Sequence, residues 1–418
     1  MGYTENLIDF IGKSTDCYHA VKTAKDRLDE NGFTELLEGD KWDVQSGGKY
    51  YVIRNSSSII AFEMPKKDFG AFMICASHTD SPSFKLKPDF EINADGCIKL
   101  SVEGYGGMIM SSWLDRPLSI SGRIVIAKDG KIETKLINVD RNLLVIPSLA
   151  IHMSRDINKG YEFNIRRDMC PIASDKNGRI EDIIAECVGV DKEEILGFDL
   201  SLYNRMRGTV LGTDGEYFSA PRIDDLQCMY STLEGFLNSE SDDNVTVFAA
   251  FDNEEVGSGT KQGAKSSFLR DVLERICDNS ETYKRAVAKS FMLSCDNAHA
   301  VHPNFADKSD GTNRVYMNGG IVIKYNANQR YTTDAVSEAV VKYVCKNAGV
   351  LYQMYANRSD IPGGSTLGNL SNEKVSLNTA DIGLAQLAMH SSYETAGSRD
   401  TEYMVKMIKE FYKTEIVL

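Results

Sequence analysis

Positive charge is in short supply in this chain. Its 418 residues hold 47 Lys and Arg against 60 Asp and Glu, a formal net charge of −13. No basic run offsets the deficit, which argues against a sequence-independent nucleic-acid surface, since such surfaces neutralise phosphates with Lys and Arg. Long apolar runs are lacking too. None approaches the roughly 20 residues that a membrane helix needs, and no membrane association is expected. The N-terminal stretch MGYTENLIDFIGKSTDCYHAVKTAKDRLDENGF has no secretory apolar segment and instead alternates apolar and charged residues like two amphipathic helices. The nine cysteines are odd in number, scattered, and never form C-x-x-C. That pattern fits neither a disulfide framework nor a Cys-rich zinc finger, and makes a reducing, cytoplasmic location the expectation. Low-complexity tracts, internal repeats and a phosphate-binding P-loop are also missing from the text, so no nucleotide is implied.

What remains is the composition of an ordinary globular protein, 42% hydrophobic with 33 glycines, long enough for one large domain or two ordinary ones. From Gly48 to Ile74 the segments KYYVIRN, SSIIAFEM and FGAFMICAS read as strands. Residues 89–219 have a different texture, with short β-rich pieces such as CIKLSVEGY and LSISGRIVIAKDGKIETKLINV, Gly and Asn turns, and one good helical segment near DIIAECVGV. They read as an inserted, mostly β module between a first part at 1–88 and a second at 220–418. After Pro221 helices and strands alternate: RIDDLQCMYSTLEGFLN, NVTVFAAFD, GAKSSFLRDVLERICDN, SFMLSCDNA and DAVSEAVVKYVCKNAG. The fold class is therefore α/β, with a mainly parallel sheet covered by helices on both faces and a β-rich insertion.

Three of these strands end in side chains of metal-ligand or acid/base type. His78 and Asp80 follow FMICAS, Glu254 and Glu255 follow VTVFAAFDN, and Asp296 follows FMLSC. Ligands of open α/β sheets bind beyond the carboxyl ends of the strands, so the three ends point to one shared site. With Asp224 and His390 the candidate set is all imidazole and carboxylate, which suits Zn²⁺ and, less selectively, Mn²⁺ or Co²⁺. Two His and three carboxylates exceed the needs of one catalytic zinc but fit two metals sharing a bridging carboxylate. Such a pair, about 3.5–4 Å apart, holds a hydroxide and polarises a carbonyl, as in aminopeptidases. One carboxylate must stay off the metals as general base, which gives the adjacent glutamates separate jobs.

Nine collinear segments carry a resemblance to a known family: ASHTDSPSFKLKP (76–88), YGGMIMSSWLDRPLSISGRI (105–124), PSLAIHMSRDIN (147–158), SAPRIDD (219–225), FDNEEVGS (251–258), SCDNAHAVHPNF (294–305), IKYNANQRYTT (323–333), SDIPGGSTLG (359–368) and AMHSSYETAG (388–397). The chain resembles the aspartyl aminopeptidase family of cocatalytic zinc exopeptidases over nearly its whole length. The resemblance implies two zinc ions per subunit, with His78 and Asp296 on one, Glu255 and His390 on the other, and Asp224 bridging. It implies Glu254 as general base and Asp80 as the residue that hydrogen-bonds an imidazole and orients it. It also implies the zinc exopeptidase fold with an oligomerisation domain inserted, assembly into dodecamers built from dimers, and a role for His152 in a neighbouring subunit's active site. Two positions depart from the family pattern: Asp225 stands where Asn is frequent, and Tyr393 where many members carry Arg.

Preference for an N-terminal Asp or Glu requires a cation where the first side chain is received. Lys324 is the candidate, because a Lys inside an apolar strand must find an anion or be solvated. The GGSTLG loop would supply backbone N–H groups and hydroxyls to the substrate backbone through Gly364, Ser365 and Thr366. His299 and His302, three residues apart, read as outer or substrate-pocket residues. The expectation is a metal-dependent aminopeptidase acting on peptides with N-terminal Asp or Glu. The alternatives are a neutral, Leu-type aminopeptidase of the same fold, a related dipeptidase or deacylase, and a non-catalytic oligomeric peptide-binding scaffold.

Overall fold

The computed structural model describes residues 2–361 and 363–416. They divide into two compact units, one comprising the chain up to Asp80, Gly208–Met389 and the segment from Glu394 onward, the other Ser81–Arg207 with His390–Tyr393. The first boundary falls eight residues before the change of texture at 89, and the return falls twelve before 220. The reason for the later shift is local. Thr209–Leu211 and Tyr217–Ala220 are β-rich in sequence, but they are strands of a five-stranded sheet belonging to the first unit.

The first unit is organised by a nine-stranded sheet. Its order is Thr34–Glu35, Lys49–Arg54, Ser58–Glu63, Val245–Phe251, Phe72–His78, Phe291–Cys295, Asn378–Gly383, Ile321–Tyr325 and Tyr352–Ala356. Five of the eight pairings are parallel, so the sheet is mainly parallel, with Ser58–Glu63 antiparallel to both neighbours. The central strands are apolar on both faces and their residues alternate between two cores with the period of two that a pleated strand imposes. Met73, Cys75, Phe248, Ala250 and Leu293 face one core, which includes buried residues of helices Tyr3–Lys13, Cys17–Glu30, Ile223–Leu237, Ala335–Ala348 and Asp400–Lys413. Phe72, Ile74, Ala76, Val247 and Met292 face the other, shared with helices Phe268–Ile276 and Leu367–Ser371. Each of the large side chains among them, the Phe, Met, Ile, Leu and Val, contributes about 1.5–3 kcal/mol when fully withdrawn from water, before entropy is counted.

The N-terminal amphipathic pair is present as read, the second helix capped by Asp16, whose carboxylate accepts the N–H groups of Tyr18 and His19. The stretch GAKSSFLRDVLERICDN is helical only from Phe268 to Ile276; turns occupy the positions before it.

The second unit is a six-stranded antiparallel sheet ordered Lys131–Asn138, Leu118–Lys128, Ile195–Asn204, Ser83–Ala94, Cys97–Tyr105 and Ile172–Asp175. Helix Ile180–Val188 buries Ile180 and Ile184 in its core with Phe84, Leu100, Trp113, Ile120 and Leu202. Among the described residues no helix is long and apolar enough to cross a membrane.

Candidate metal centre

Three neighbouring parallel strands build the floor of the site. Phe72–His78 lies between Val245–Phe251 and Phe291–Cys295, with Phe251 in register with His78. Their carboxyl ends therefore deliver His78, the turn after Phe251 and Asp296 side by side. Asp224 and Asp225 come from a break in the helical path of Ile223–Leu237, where neither residue has helical backbone angles; a cis peptide bond joins the two.

His78 is buried and held from all sides. Its Nδ1 lies 3.0 Å from the carbonyl oxygen of Asp80 and 3.5 Å from that residue's Oδ1. Its backbone N–H donates to Asp225 Oδ2 at 3.1 Å. Nε2 is 3.4 Å from Asp224 Oδ1 and 3.9 Å from Asp296 Oδ1. The ring nitrogen thus faces both the carbonyl and the carboxylate of Asp80, with the carbonyl nearer. The two oxygens of that carboxylate accept the backbone N–H groups of Glu254 and Glu255, each at 3.1 Å.

Those glutamates open the short helical turn Glu254–Val256. Asn253 precedes it at φ 63°, a left-handed conformation that Asn tolerates. Its side-chain oxygen accepts from Thr260 Oγ1 and Gln262 Nε2, both at 2.8 Å, tying the turn to the segment beyond it. Asp224 is positioned by a strand distant from it in the chain. Its backbone N–H donates to Glu394 Oε2 at 3.0 Å, and Gln386 Nε2 donates to the other oxygen of Glu394 at 3.3 Å. Glu394 reaches Asp224 because strand Glu394–Gly397 pairs with Tyr217–Ala220, placing Ala220 opposite Glu394.

The donors are close enough for metal ions. His78, Asp224, Asp225 and Asp296 each offer a ligand atom, all within 4.8 Å of one another, and so do His78, Glu254 and Glu255. The charge balance demands cations. Burial raises Glu254 to about 8, with the charges of Asp296, Asp80 and Asp224 adding to it against the lowering by His78. Burial likewise lifts Glu255 and Asp225 well above the carboxylate range. Burial works against protonation of His78, yet Asp225, Asp224 and Asp80 raise it. Carboxylates gathered out of water are costly until a cation answers them, and imidazole with carboxylate is a donor set that zinc accepts. The residues present fit the group.

Lys324 sits at the edge of this cluster, 3% exposed. Nζ donates to the carbonyl of Asn297 at 2.8 Å and lies 3.4 Å from Asp296 Oδ2. The side chain passes over Gly383, where a Cβ would stand 3.2 Å from Lys324 Cε and 1.9 Å from the carbonyl oxygen of Asp296.

The other predicted residues fall as follows. Gly364 lines a cleft of about 340 Å³ with His299, His302, Arg358 and Gln386. Ser365 Oγ donates to Asn369 Oδ1 at 3.1 Å, and Thr366 Oγ1 to Asp381 Oδ1 at 2.6 Å, so both hydroxyls are engaged within the first unit itself. His299 belongs to the two-residue strand Ala298–His299, and His302 stacks near Phe305 with ring centroids 5.0 Å apart, so the pair shares no helix. In the second unit His390 has φ 67° and its carbonyl accepts the Ile109 N–H at 3.0 Å. The Tyr393 hydroxyl donates to the carbonyl of Arg207 at 2.7 Å. His152 is exposed in a loop beside the exposed apolar residues Ile151 and Met153.

Comparison with known proteins converges on one family. The family model described as aminopeptidase I zinc metalloprotease (M18) matches residues 10–412. The chain is similar to the "Probable M18 family aminopeptidase 2" of Clostridium acetobutylicum, 44% identical with 98% of each chain covered. Among solved structures it is similar to a chain of the Ape4 and Nbr1 complex, with TM-score 0.95, 34% identity, 98% of this chain and 85% of that one covered. It is also similar to the mApe1 dodecamer of S. cerevisiae, with TM-score 0.84, 28% identity and coverage of 98% and 96%. The chain belongs to the aminopeptidase I family of zinc metalloproteases, M18, and is a metallo-aminopeptidase.

Proposed function

We propose that this aminopeptidase works with two zinc ions per subunit and releases N-terminal Asp or Glu from peptides. The observation that carries the reading is the meeting of His78, Asp224, Asp296, Glu254 and Glu255 beyond three adjacent strand ends, with Asp80 gripping the turn that bears both glutamates. By the family resemblance, His78 and Asp296 would hold one ion, Glu255 and His390 the other, and Asp224 would serve both. Zinc bound there polarises the scissile carbonyl and makes a nucleophile available near neutral pH. Glu254 takes the proton of the attacking water and returns it to the leaving amine. Asp80 keeps the carboxylate of Glu254 in reach by fixing its backbone.

The acidic preference rests on Lys324. An ammonium has three donors; one serves Asn297 and one faces Asp296, and the acidic preference would draw on the third. The same ion pair favours a second reading, a neutral preference, since Asp296 already answers the charge. The loop bearing His152 and its apolar neighbours suits contact with another copy of the chain, and the dodecameric relative supports a homo-oligomer. Hydrolysis of Asp-, Glu-, Leu- and acetyl-capped chromogenic substrates, with and without chelator, tests the proposal. The expected result is chelator-sensitive release, faster from Asp and Glu than from Leu, with none from capped substrate. Faster release from Leu defeats the acidic preference, and activity indifferent to chelator defeats the metal mechanism.

A further inference from the structure

Asp381 lies on strand Asn378–Gly383, inside the nine-stranded sheet, and none of its surface is exposed. Three donors converge on its carboxylate. Oδ2 accepts the backbone N–H of Thr332 at 2.5 Å and its hydroxyl at 2.6 Å, while Oδ1 accepts the hydroxyl of Thr366 at 2.6 Å. The backbone N–H of Asp381 donates to Thr333 Oγ1 at 2.9 Å. Thr332 and Thr333 belong to the segment that leaves strand Ile321–Tyr325, whereas Thr366 ends the stretch 363–366 and precedes helix Leu367–Ser371. One carboxylate therefore ties together two separate connections at the same edge of the sheet. A second tie reinforces it, as Arg330 Nη1 donates to the carbonyl of Gly363 at 2.8 Å. Space around the carboxylate is reserved as well: a Cβ on Gly368 would come within 2.9 Å of both Asp381 Oδ2 and Thr332 Oγ1.

An ionised carboxylate is an acceptor only, and hydrogen bonds to it are short and strong. Three donors aimed at one carboxyl group thus hold both segments in one geometry. The first segment also carries Tyr331, whose ring lies under the ammonium of Lys324 with its centroid 5.5 Å away. The second carries Gly364, Ser365 and Thr366.

We propose that Asp381 is a positioning residue for peptide binding, a latch that fixes residues 326–333 and 363–366 against each other so that the backbone N–H groups of 364–366 are presented preformed to the substrate. This rests on the reading of the protein as a peptide aminopeptidase with that loop at the substrate backbone. Preorganised binding groups spare the substrate the entropy of ordering them, so loosening the latch should fall on KM before kcat.

The test compares the zinc-loaded full-length protein with Asp381→Asn, Thr366→Val and Thr366→Ser. Asp381→Asn sets an NH₂ group against donors, and Thr366→Val removes one hydroxyl with little change of shape. Expected for both is a KM raised about tenfold, kcat within about threefold, unchanged zinc content, and faster amide hydrogen exchange confined to 326–334 and 363–369. Thr366→Ser should restore KM and exchange. Wild-type KM and exchange in Asp381→Asn and Thr366→Val would overturn the latch, as would exchange quickened throughout the sheet, the mark of a merely structural role. Wild-type protein inert on every peptide would sink the aminopeptidase reading instead, and the exchange pattern would still decide the latch.

Discussion

Asp80 holds Glu254 by its backbone: the Asp80 carboxylate accepts the Glu254 N–H at 3.1 Å and the Glu255 N–H at the same distance. The same residue's carbonyl oxygen lies 3.0 Å from His78 Nδ1. One residue thus sets both the histidine ring and the turn bearing the proposed base. Removing that grip by Asp80→Ala should lower kcat by about 10²-fold, since a displacement of about 1 Å at a catalytic group costs that much. Asp80→Asn, which retains one acceptor, should cost less. Steady-state kinetics on one peptide substrate checks this, and equal losses in the two variants would deny the carboxylate its positioning role.

Gly383 is demanded by the close passage of the Asp296 backbone. In Gly383→Ala the new methyl would meet the Asp296 carbonyl at 1.9 Å, and backbone cannot yield as a flexible side chain can. Overpacking of this kind costs about 1–3 kcal/mol. Denaturant unfolding should show that loss, and zinc affinity should fall with it because Asp296 is displaced. Unchanged values of both would show that Asp296 does not depend on this contact.

The proposed preference for acidic residues turns on the Lys324 ammonium. Lys324→Met keeps the length of the side chain and deletes the charge. The ratio of kcat/KM for Asp over Leu substrates should drop at least about tenfold, equivalent to about 1.4 kcal/mol of discrimination. A ratio that holds while both activities fall would confine Lys324 to partnering Asp296.

Stability should fall with rising pH in the metal-free protein and hold in the zinc-loaded one. In the metal-free protein burial lifts Glu254 from its ordinary 4.5 to about 8, and Glu255 rises in the same direction. A group whose folded value is raised contributes stability that is complete below about 4.5 and is lost as pH climbs through 8. The melting temperature of chelated protein should therefore decline from pH 5 to 8.5. Zinc-loaded protein should hold its stability, because bound cations favour the charged ligands. Melting curves at pH 5, 6.5 and 8 should show the gap widening with pH. A gap independent of pH would mean these carboxylates are not what zinc stabilises.

Much of this was legible in the sequence because the strands announce themselves. FMICAS, VTVFAAF and FMLSC are apolar throughout, as strands buried on both faces must be, so the charged residues at their ends stood out. The convergence followed from the rule that ligands gather at strand termini. What was not legible depends on pairings between distant segments. Glu394 reads as one more acidic residue until its strand is laid against Tyr217–Ala220 and its carboxylate meets the Asp224 N–H. Asp381 likewise meets Thr332 and Thr366 only through the fold, and Asn253 braces the turn before Glu254 through Thr260 and Gln262. The boundary at 219 was misplaced by β-rich text at 209–220 that belongs to the first unit's small sheet.

The central claim is that Glu254 moves protons while its neighbours hold the metals, and Glu254→Gln tests it most directly. Zinc content, substrate KM and turnover should be measured on the same preparation. Expected are wild-type zinc content, KM within a few-fold, and kcat reduced by about 10²–10⁴. Turnover at the wild-type rate in the fully zinc-loaded variant would contradict the claim.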